Sequence, residues 1–190
     1  LVRCRSASGS SKLEKDSTMS PLDSIKYHRM FLQTGIMAVD PNSGYVRAWV
    51  GGINHKWFQY DHVNTNTRRQ VGSTFKPFVY AATIDLRGFS PCYKVPDIPT
   101  TIEPGDGNFY LNKPWTPRNS NGTYSGSLYT LRDGLRNSKN TVSTYLMKEL
   151  GSTDPVRTLT DNMGIERDVV PNAPSIALGS VDLSVQEMTG

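Results

Sequence analysis

The sequence predicts a mixed α/β fold of the α+β type, and three observations predict it. Residues 34–50 carry a β-hairpin pattern: the apolar run Thr34 to Val39, the turn chemistry of Asp40-Pro41-Asn42-Ser43-Gly44, then a strand that alternates. Residues 73–87 place Phe75, Phe78, Val79, Ala82 and Leu86 at the spacing of one helix face. Residues 130–164 add further helices, each with its own start and stop signals.

Taken in order, residues 1–19 are rich in Ser, Lys and Arg without sustained periodicity and read as a flexible tail or linker. Ser20-Pro21-Leu22-Asp23 then supplies an N-cap, a proline at the first helical position and an acid in the first turn, so a helix is expected to about Leu32. In the hairpin, Val46, Ala48 and Val50 share one face and Tyr45, Arg47 and Trp49 the other. Residues 53–70 read as irregular. In the helix over 73–87, Pro77 is tolerated in the first turn, where backbone N–H groups lack partners, and Gly88 supplies the stop. Residues 89–129 are punctuated by Pro and Gly and read as one long connection, a length that usually serves function. Thr130-Leu131-Arg132-Asp133 opens a short helix to about Asn137. A second helix runs from about Thr141 to Leu150, a third from Asp154-Pro155 to near Gly164. Residues 165–183 read as mixed loop, and Ser184 with Glu187 opens a last helix. Residues 20–190 therefore form one domain, and a domain that ends inside a helix is expected to be partial.

Bulk properties exclude several classes. The chain has 190 residues, a mean hydropathy of −0.46 and a net charge of +4. That length suits one ordinary domain. No apolar run approaches the ~18 residues of a membrane span, and no signal peptide is visible. Lys and Arg are scattered, apart from Arg68-Arg69 and a basic N-terminus, so the stripe of a nucleic-acid binder is missing; the excess suits a solvated surface or an anionic envelope polymer. Cys4 and Cys92 have no metal spacing, and their pairing is not expected. His28, His55 and His62 fit no metal site, and no cofactor is implied. Asn121-Gly122-Thr123 is read as a chance sequon.

The chemistry lies in Ser73-Thr74-Phe75-Lys76. It is the only Ser-x-x-Lys in the chain. Its spacing puts a hydroxyl and an amine on one face of a helical turn, where the amine can activate the serine as a nucleophile. Ser138-Lys139-Asn140, the only Ser-x-Asn, falls between two helices. A bend there can project a hydroxyl and an amide into a cleft, with Ser138 relaying a proton to a leaving amine and Asn140 orienting Lys76. Taken singly, Ser73 is an ordinary helix cap, Lys76 a surface lysine, and Ser138 and Asn140 inter-helix caps.

The segment Arg68-Arg69-Gln70-Val71-Gly72-Ser73-Thr74-Phe75-Lys76-Pro77-Phe78 resembles the active-serine region of penicillin-binding protein transpeptidase domains, whose motif set includes S-x-x-K. Ala38-Val39-Asp40-Pro41 with Gly44, and Ala48-Trp49-Val50-Gly51-Gly52, resemble the strand pair before that motif. Trp115-Thr116-Pro117-Arg118-Asn119 and Tyr124-Ser125-Gly126 resemble the loop before the second. The likeness is to the class A, bifunctional type, and covers about residues 20–190.

The resemblance implies a β-lactamase/transpeptidase-like fold, an antiparallel sheet flanked by helices and incomplete at the C-terminus. It implies a peptidoglycan D,D-transpeptidase that cross-links stem peptides through a serine acyl-enzyme and is trapped by β-lactams. Ser73 would be the nucleophile and Lys76 the base, with Ser138 and Asn140 in support. Gly72, Trp115 and Lys139 would meet substrate. A glycosyltransferase domain would precede the chain, and an anchor outside it would hold the protein at the outer face of the bacterial cytoplasmic membrane. One departure matters: no lysine here is followed by Thr-Gly or Ser-Gly. That third motif carries a second cation and an oxyanion donor, so a truncated domain with little or no activity is expected. A serine β-lactamase is disfavoured, since no Glu-x-x-Leu-Asn follows Ser138. A non-catalytic β-lactam sensor stands as the other alternative.

Overall fold

The structure, a computed structural model, describes residues 2–5 and 14–190, with side chains from Ser17 onward. Within the first nineteen residues, β1 (Val2–Arg5) pairs antiparallel with β2 (Glu14–Ser17). The Cys4 side chain lies outside the described residues.

The first helix, α1 (Pro21–Arg29), starts where its signals place it: Ser20 Oγ accepts from the Asp23 N–H at 3.2 Å. It stops at the Met30 cap, short of Leu32, and buries no residue. The hairpin forms from β3 (Ile36–Val39) and β4 (Val46–Val50), with Ala38 opposite Ala48 and a bulge before Val39. Its turn is closed by Asp40, whose side chain accepts from the Asn42 N–H at 3.0 Å and whose carbonyl accepts from the Gly44 N–H at 2.8 Å. Every β4 residue is exposed. The alternation therefore marks two faces, neither of which β4 buries among the described residues.

A stretch read as irregular ends in β5 (Arg69–Gln70), too short to show periodicity. Residues 72–75 then form one 3₁₀ turn, and α2 (Lys76–Arg87) follows, stopped by Gly88 at φ +65°. Ser73 thus sits in the turn before α2, not inside it. Phe75, Val79 and Ala82 are buried as their spacing predicts, whereas Leu86 is 57% exposed at the far end of the helix.

The connection over 89–129 is less bare than its sequence suggests. It begins with β6 (Lys94–Pro96), which pairs antiparallel with β7 (Leu128–Thr130), and Ile102 bridges Trp115 between them. Next comes α3 (Leu131–Arg136), capped by Thr130 Oγ1 on the Asp133 N–H at 3.1 Å. It leads into α4 (Asn140–Leu150), stopped by Gly151 at φ +70°. Then α5 (Asp154–Asn162) and two 3₁₀ turns lead to β8 (Asp182–Leu183), which pairs antiparallel with β5. The last helix, α6 (Val185–Thr189), has both halves of the Ser184–Glu187 capping box. Antiparallel pairs and helices together make the mixed α/β class expected from the sequence.

The core sits where α2 packs on α4, with α5 and the turn over Pro174–Leu178 against them. Val79, Val142, Leu146, Met147 and Ile176 have no exposed surface. Burying side chains of this size stabilises the fold by about 1.5–3 kcal/mol each. This packing brings the first residue of α2, Lys76, beside the first residue of α4, Asn140.

Candidate active site

Ser73 is reached through a strand. Val71 N–H donates to the Val181 carbonyl at 2.9 Å and Gly72 N–H to the Gly179 carbonyl at 3.0 Å, extending the β5–β8 pairing to the residue before Ser73. Gly72 takes φ +57°, a left-handed conformation that glycine adopts without strain and that turns the chain from strand into the 3₁₀ turn. Phe75 anchors that turn in the core, and Ser73 itself is exposed.

Lys76 has no exposed surface. Its Nζ donates to the Ser138 carbonyl at 2.8 Å, Ser138 Oγ at 3.0 Å and Asn140 Oδ1 at 2.7 Å. An ammonium has three N–H donors, so these acceptors saturate it. Burial nevertheless pushes its pKa down to about 8, because a charge removed from water costs more than a neutral amine.

Ser138 and Asn140 meet Lys76 for different local reasons. Ser138 holds φ +51°, a left-handed conformation disfavoured for a residue with a Cβ. The bend directs its carbonyl and hydroxyl onto one nitrogen. Asn140 is the first residue of α4, and its Nδ2 donates to the Arg118 carbonyl at 2.7 Å. That contact requires a donor, so it fixes which end of the amide faces Lys76.

Behind them lies a hub that sequence reading missed. Asp97 has no exposed surface. It accepts from Lys139 Nζ at 2.9 Å, Thr141 Oγ1 at 2.7 Å, Asn119 Nδ2 at 2.7 Å, and the Ser125 N–H and hydroxyl at 3.1 and 2.9 Å. Burial opposes its charge, but these donors, Lys139 foremost, outweigh it and hold the carboxyl well below the usual range. Asn119 Oδ1 in turn accepts from the Asn140 N–H at 3.0 Å and the Thr141 N–H at 3.4 Å. The helix has no side-chain cap of its own at Lys139, so Asn119 caps α4 from another loop. Nothing around Asp97 in Lys94-Val95-Pro96-Asp97-Ile98-Pro99 marks it as buried.

The family described as the penicillin binding protein transpeptidase domain matches residues 34–171. The chain belongs to this family. Penicillin-binding protein 1A of Pseudomonas aeruginosa is 34% identical over 158 residues, which is 83% of this chain and 18% of that protein. Penicillin-binding protein 1A of Vibrio cholerae is 34% identical over 155 residues, 82% of this chain and 18% of the relative. The crystal structure of penicillin-binding protein 1A from Haemophilus influenzae superposes with a TM-score of 0.72 at 29% identity, covering 82% of this chain and 22% of that one. Penicillin-binding protein A of M. tuberculosis, solved as a ceftriaxone acyl-enzyme complex, shares the fold at a TM-score of 0.50 and 20% identity. The chain spans about a fifth of the length of the curated relatives it matches.

In this transpeptidase-family chain, the structure brings Lys76, Ser138 and Asn140 into direct contact, with Gly72 and Ser73 one turn before Lys76. Lys139 turns its ammonium to Asp97 and over the Tyr129 ring. Trp115 packs half-buried against the core beside Ile102. Arg68 is engaged by Glu187, at 2.6 Å to Oε1 and 3.2 Å to Oε2. Among the described residues no cluster of His, Cys, Asp and Glu could hold a metal, and no helix is long and apolar enough to cross a membrane.

Proposed function

We propose that this site performs serine acyl transfer on peptidoglycan stem peptides, as a D,D-transpeptidase domain that β-lactams acylate. The observation that carries this reading is a lysine with no exposed surface, one turn after an exposed serine, hydrogen-bonded to Ser138 and Asn140. Family membership supports it.

In this reading Ser73 Oγ attacks the carbonyl carbon of the penultimate D-Ala. Its proton passes to Lys76, which must first be neutral. With a pKa of about 8, roughly a tenth of the lysine is neutral at pH 7, against less than a thousandth for an ordinary lysine. Loss of one proton opens a lone pair while the remaining N–H groups keep two of the three acceptors. The Ser73 N–H stabilises the developing oxyanion. The C–N bond then breaks, Ser138 Oγ–H relays a proton to the departing amine, and Lys76 reprotonates Ser138. The acyl group remains as an ester on Ser73 until an amine from a neighbouring stem takes it. Gly72, Trp115 and Lys139 are the residues proposed to meet substrate, Lys139 through the loop it ties to Asp97.

No Lys-Thr-Gly or Lys-Ser-Gly is present in the 190 residues. One oxyanion donor typically contributes about 10²–10³ in rate, so this chain alone acylates slowly. Within the same reading residues 20–190 are a partial transpeptidase domain and residues 1–19 a linker. A glycosyltransferase domain and a membrane anchor precede it in the whole protein, which works at the outer face of the cytoplasmic membrane.

Incubation with a fluorescent penicillin over hours, followed by peptide mass spectrometry, tests the reading. The expected result is a stable adduct on Ser73 that Ser73→Ala abolishes. An adduct elsewhere, none at all, or rapid release of hydrolysed drug overturns it.

A further inference from the structure

The chemistry needs the Asn140 carboxamide oxygen at Lys76, yet Asn140 lies at a helix start without a local cap. Its backbone N–H and that of Thr141 are met by Asn119 Oδ1 from a different loop. Asn119 must therefore present its oxygen to α4 and its amide nitrogen elsewhere. The reverse side of the amide enforces this: Nδ2 donates to Asp97 Oδ1 at 2.7 Å and to the Thr123 carbonyl at 3.0 Å, both acceptors only. Asp97 is ionised and without exposed surface, and Asn119 is 6% exposed, so water offers no competing partner. The adjoining residue adds a second tie, because the Arg118 carbonyl takes the Asn140 Nδ2 at 2.7 Å. Orientation thus passes from carboxylate to amide, amide to helix start, and helix start to the oxygen facing the lysine.

We propose that Asp97 and Asn119 are positioning residues for acylation, acting through Asn140 on Lys76 without touching substrate. The inference rests on the acyl-transfer reading for its kinetic consequence, but not for its effect on the lysine. A residue that merely stabilises the fold would slow acylation whether or not Asn140 is present; a residue acting through Asn140 has nothing to act on once that amide is removed.

The test is a double-mutant cycle of Asn119→Ala and Asn140→Ala in this chain, read in two ways. The first readout is the acylation rate of Ser73 by penicillin above about pH 9, where Lys76 is neutral in every variant. Asn119→Ala is expected to slow it about tenfold with Asn140 present, from loss of a buried hydrogen-bond set of more than 1 kcal/mol, and less than about twofold in the Asn140→Ala background. The second is titration of the Lys76 side chain by NMR, which needs no reaction. Losing one acceptor of the ammonium is expected to lower its midpoint by about one unit, and this shift too should vanish without Asn140. Independent effects of the two substitutions on the Lys76 midpoint overturn the proposal. If wild-type Ser73 takes no penicillin, the function reading fails while the titration still decides the inference. If Asn119→Ala does not fold, Asn119→Ser is used: it brings no second carboxylate against Asp97, withdraws the amide oxygen from the start of α4, and is expected to show the same dependence on Asn140.

Discussion

Gly179 lies against Gly72 so closely that a Cβ at 179 would overlap the Gly72 carbonyl oxygen. The same pair is hydrogen-bonded through the Gly72 N–H and the Gly179 carbonyl at 3.0 Å. The backbone that delivers Ser73 is thus clamped by a residue more than a hundred positions later. Gly179→Ala must displace one backbone segment and also hold alanine at φ +82°. It is expected to cost at least about 2 kcal/mol in chemical denaturation and to suppress acylation of Ser73. Gly164→Ala serves as the control: it has φ +94° and open space around it, so about 1 kcal/mol and unchanged acylation are expected.

Acylation should follow the neutral fraction of Lys76. The rate is expected to rise with pH up to about 8 and to level off above it. A stopped series from pH 6 to 10 with penicillin in excess checks this, and a flat profile would refute Lys76 as the base. Stability carries the linked signature. The folded pKa of about 8 lies below the ordinary 10.5, so between these values the unfolded chain binds more protons and stability rises with pH. Below about 8 both states are protonated and burial of the charge costs on the order of 3 kcal/mol. In Lys76→Met that rise between pH 8 and 10.5 should be absent.

Asp97 has the opposite linkage. Its folded pKa is depressed, so the stability it contributes is complete above the ordinary carboxyl value of 3.8 and is lost as pH falls below it. Asp97→Asn should flatten the stability curve through that acid range. Lys139→Ala, which removes the cation and leaves the carboxylate in the core, is expected to cost about 3–5 kcal/mol at pH 7. Equal stability of Lys139→Ala and wild type at neutral pH would show that the remaining donors suffice.

Ser138 separates stability from chemistry. Ser138→Gly relieves the left-handed strain at φ +51°, whereas Ser138→Ala retains it. The glycine variant should be more stable than the alanine variant by about 1 kcal/mol, while both lose the hydroxyl relay and acylate about 10²–10⁴-fold more slowly. Thermal melts of the two variants beside penicillin labelling give the comparison.

Reading from sequence worked best where the signal is local. Ser20, Thr130 and Ser184 cap helices as their spacing predicts, because a cap is made by residues within three positions of each other. Gly88 and Gly151 stop helices for the same reason. The two-residue strand at Arg69 and its partner at Asp182 were missed, since a pair that short has no periodicity and exists only through its distant partner. The strands at Lys94 and Leu128 inside the apparent loop were missed likewise. Leu86 matched the apolar spacing but falls in the last turn of α2, where it lines a surface cleft with Pro155 and Leu159 of α5 instead of entering the core, so it stays exposed. Asp97 had no signal at all: one acid between prolines looks like a turn, and only the convergence of Lys139, Asn119, Ser125 and Thr141 makes it a buried hub.

By itself the sequence determined the candidate residues Ser73, Lys76, Ser138 and Asn140, the helices that flank them and the family they resemble, because those depend on neighbours along the chain. Tertiary structure alone decided that Lys76 is stripped of water, that its three donors go to Ser138 and Asn140, and that Asn119 caps the helix bearing Asn140. The physical reason is the same in each case. Desolvation and hydrogen-bond orientation are set by what surrounds a group in space, and here the surroundings come from segments tens of residues apart.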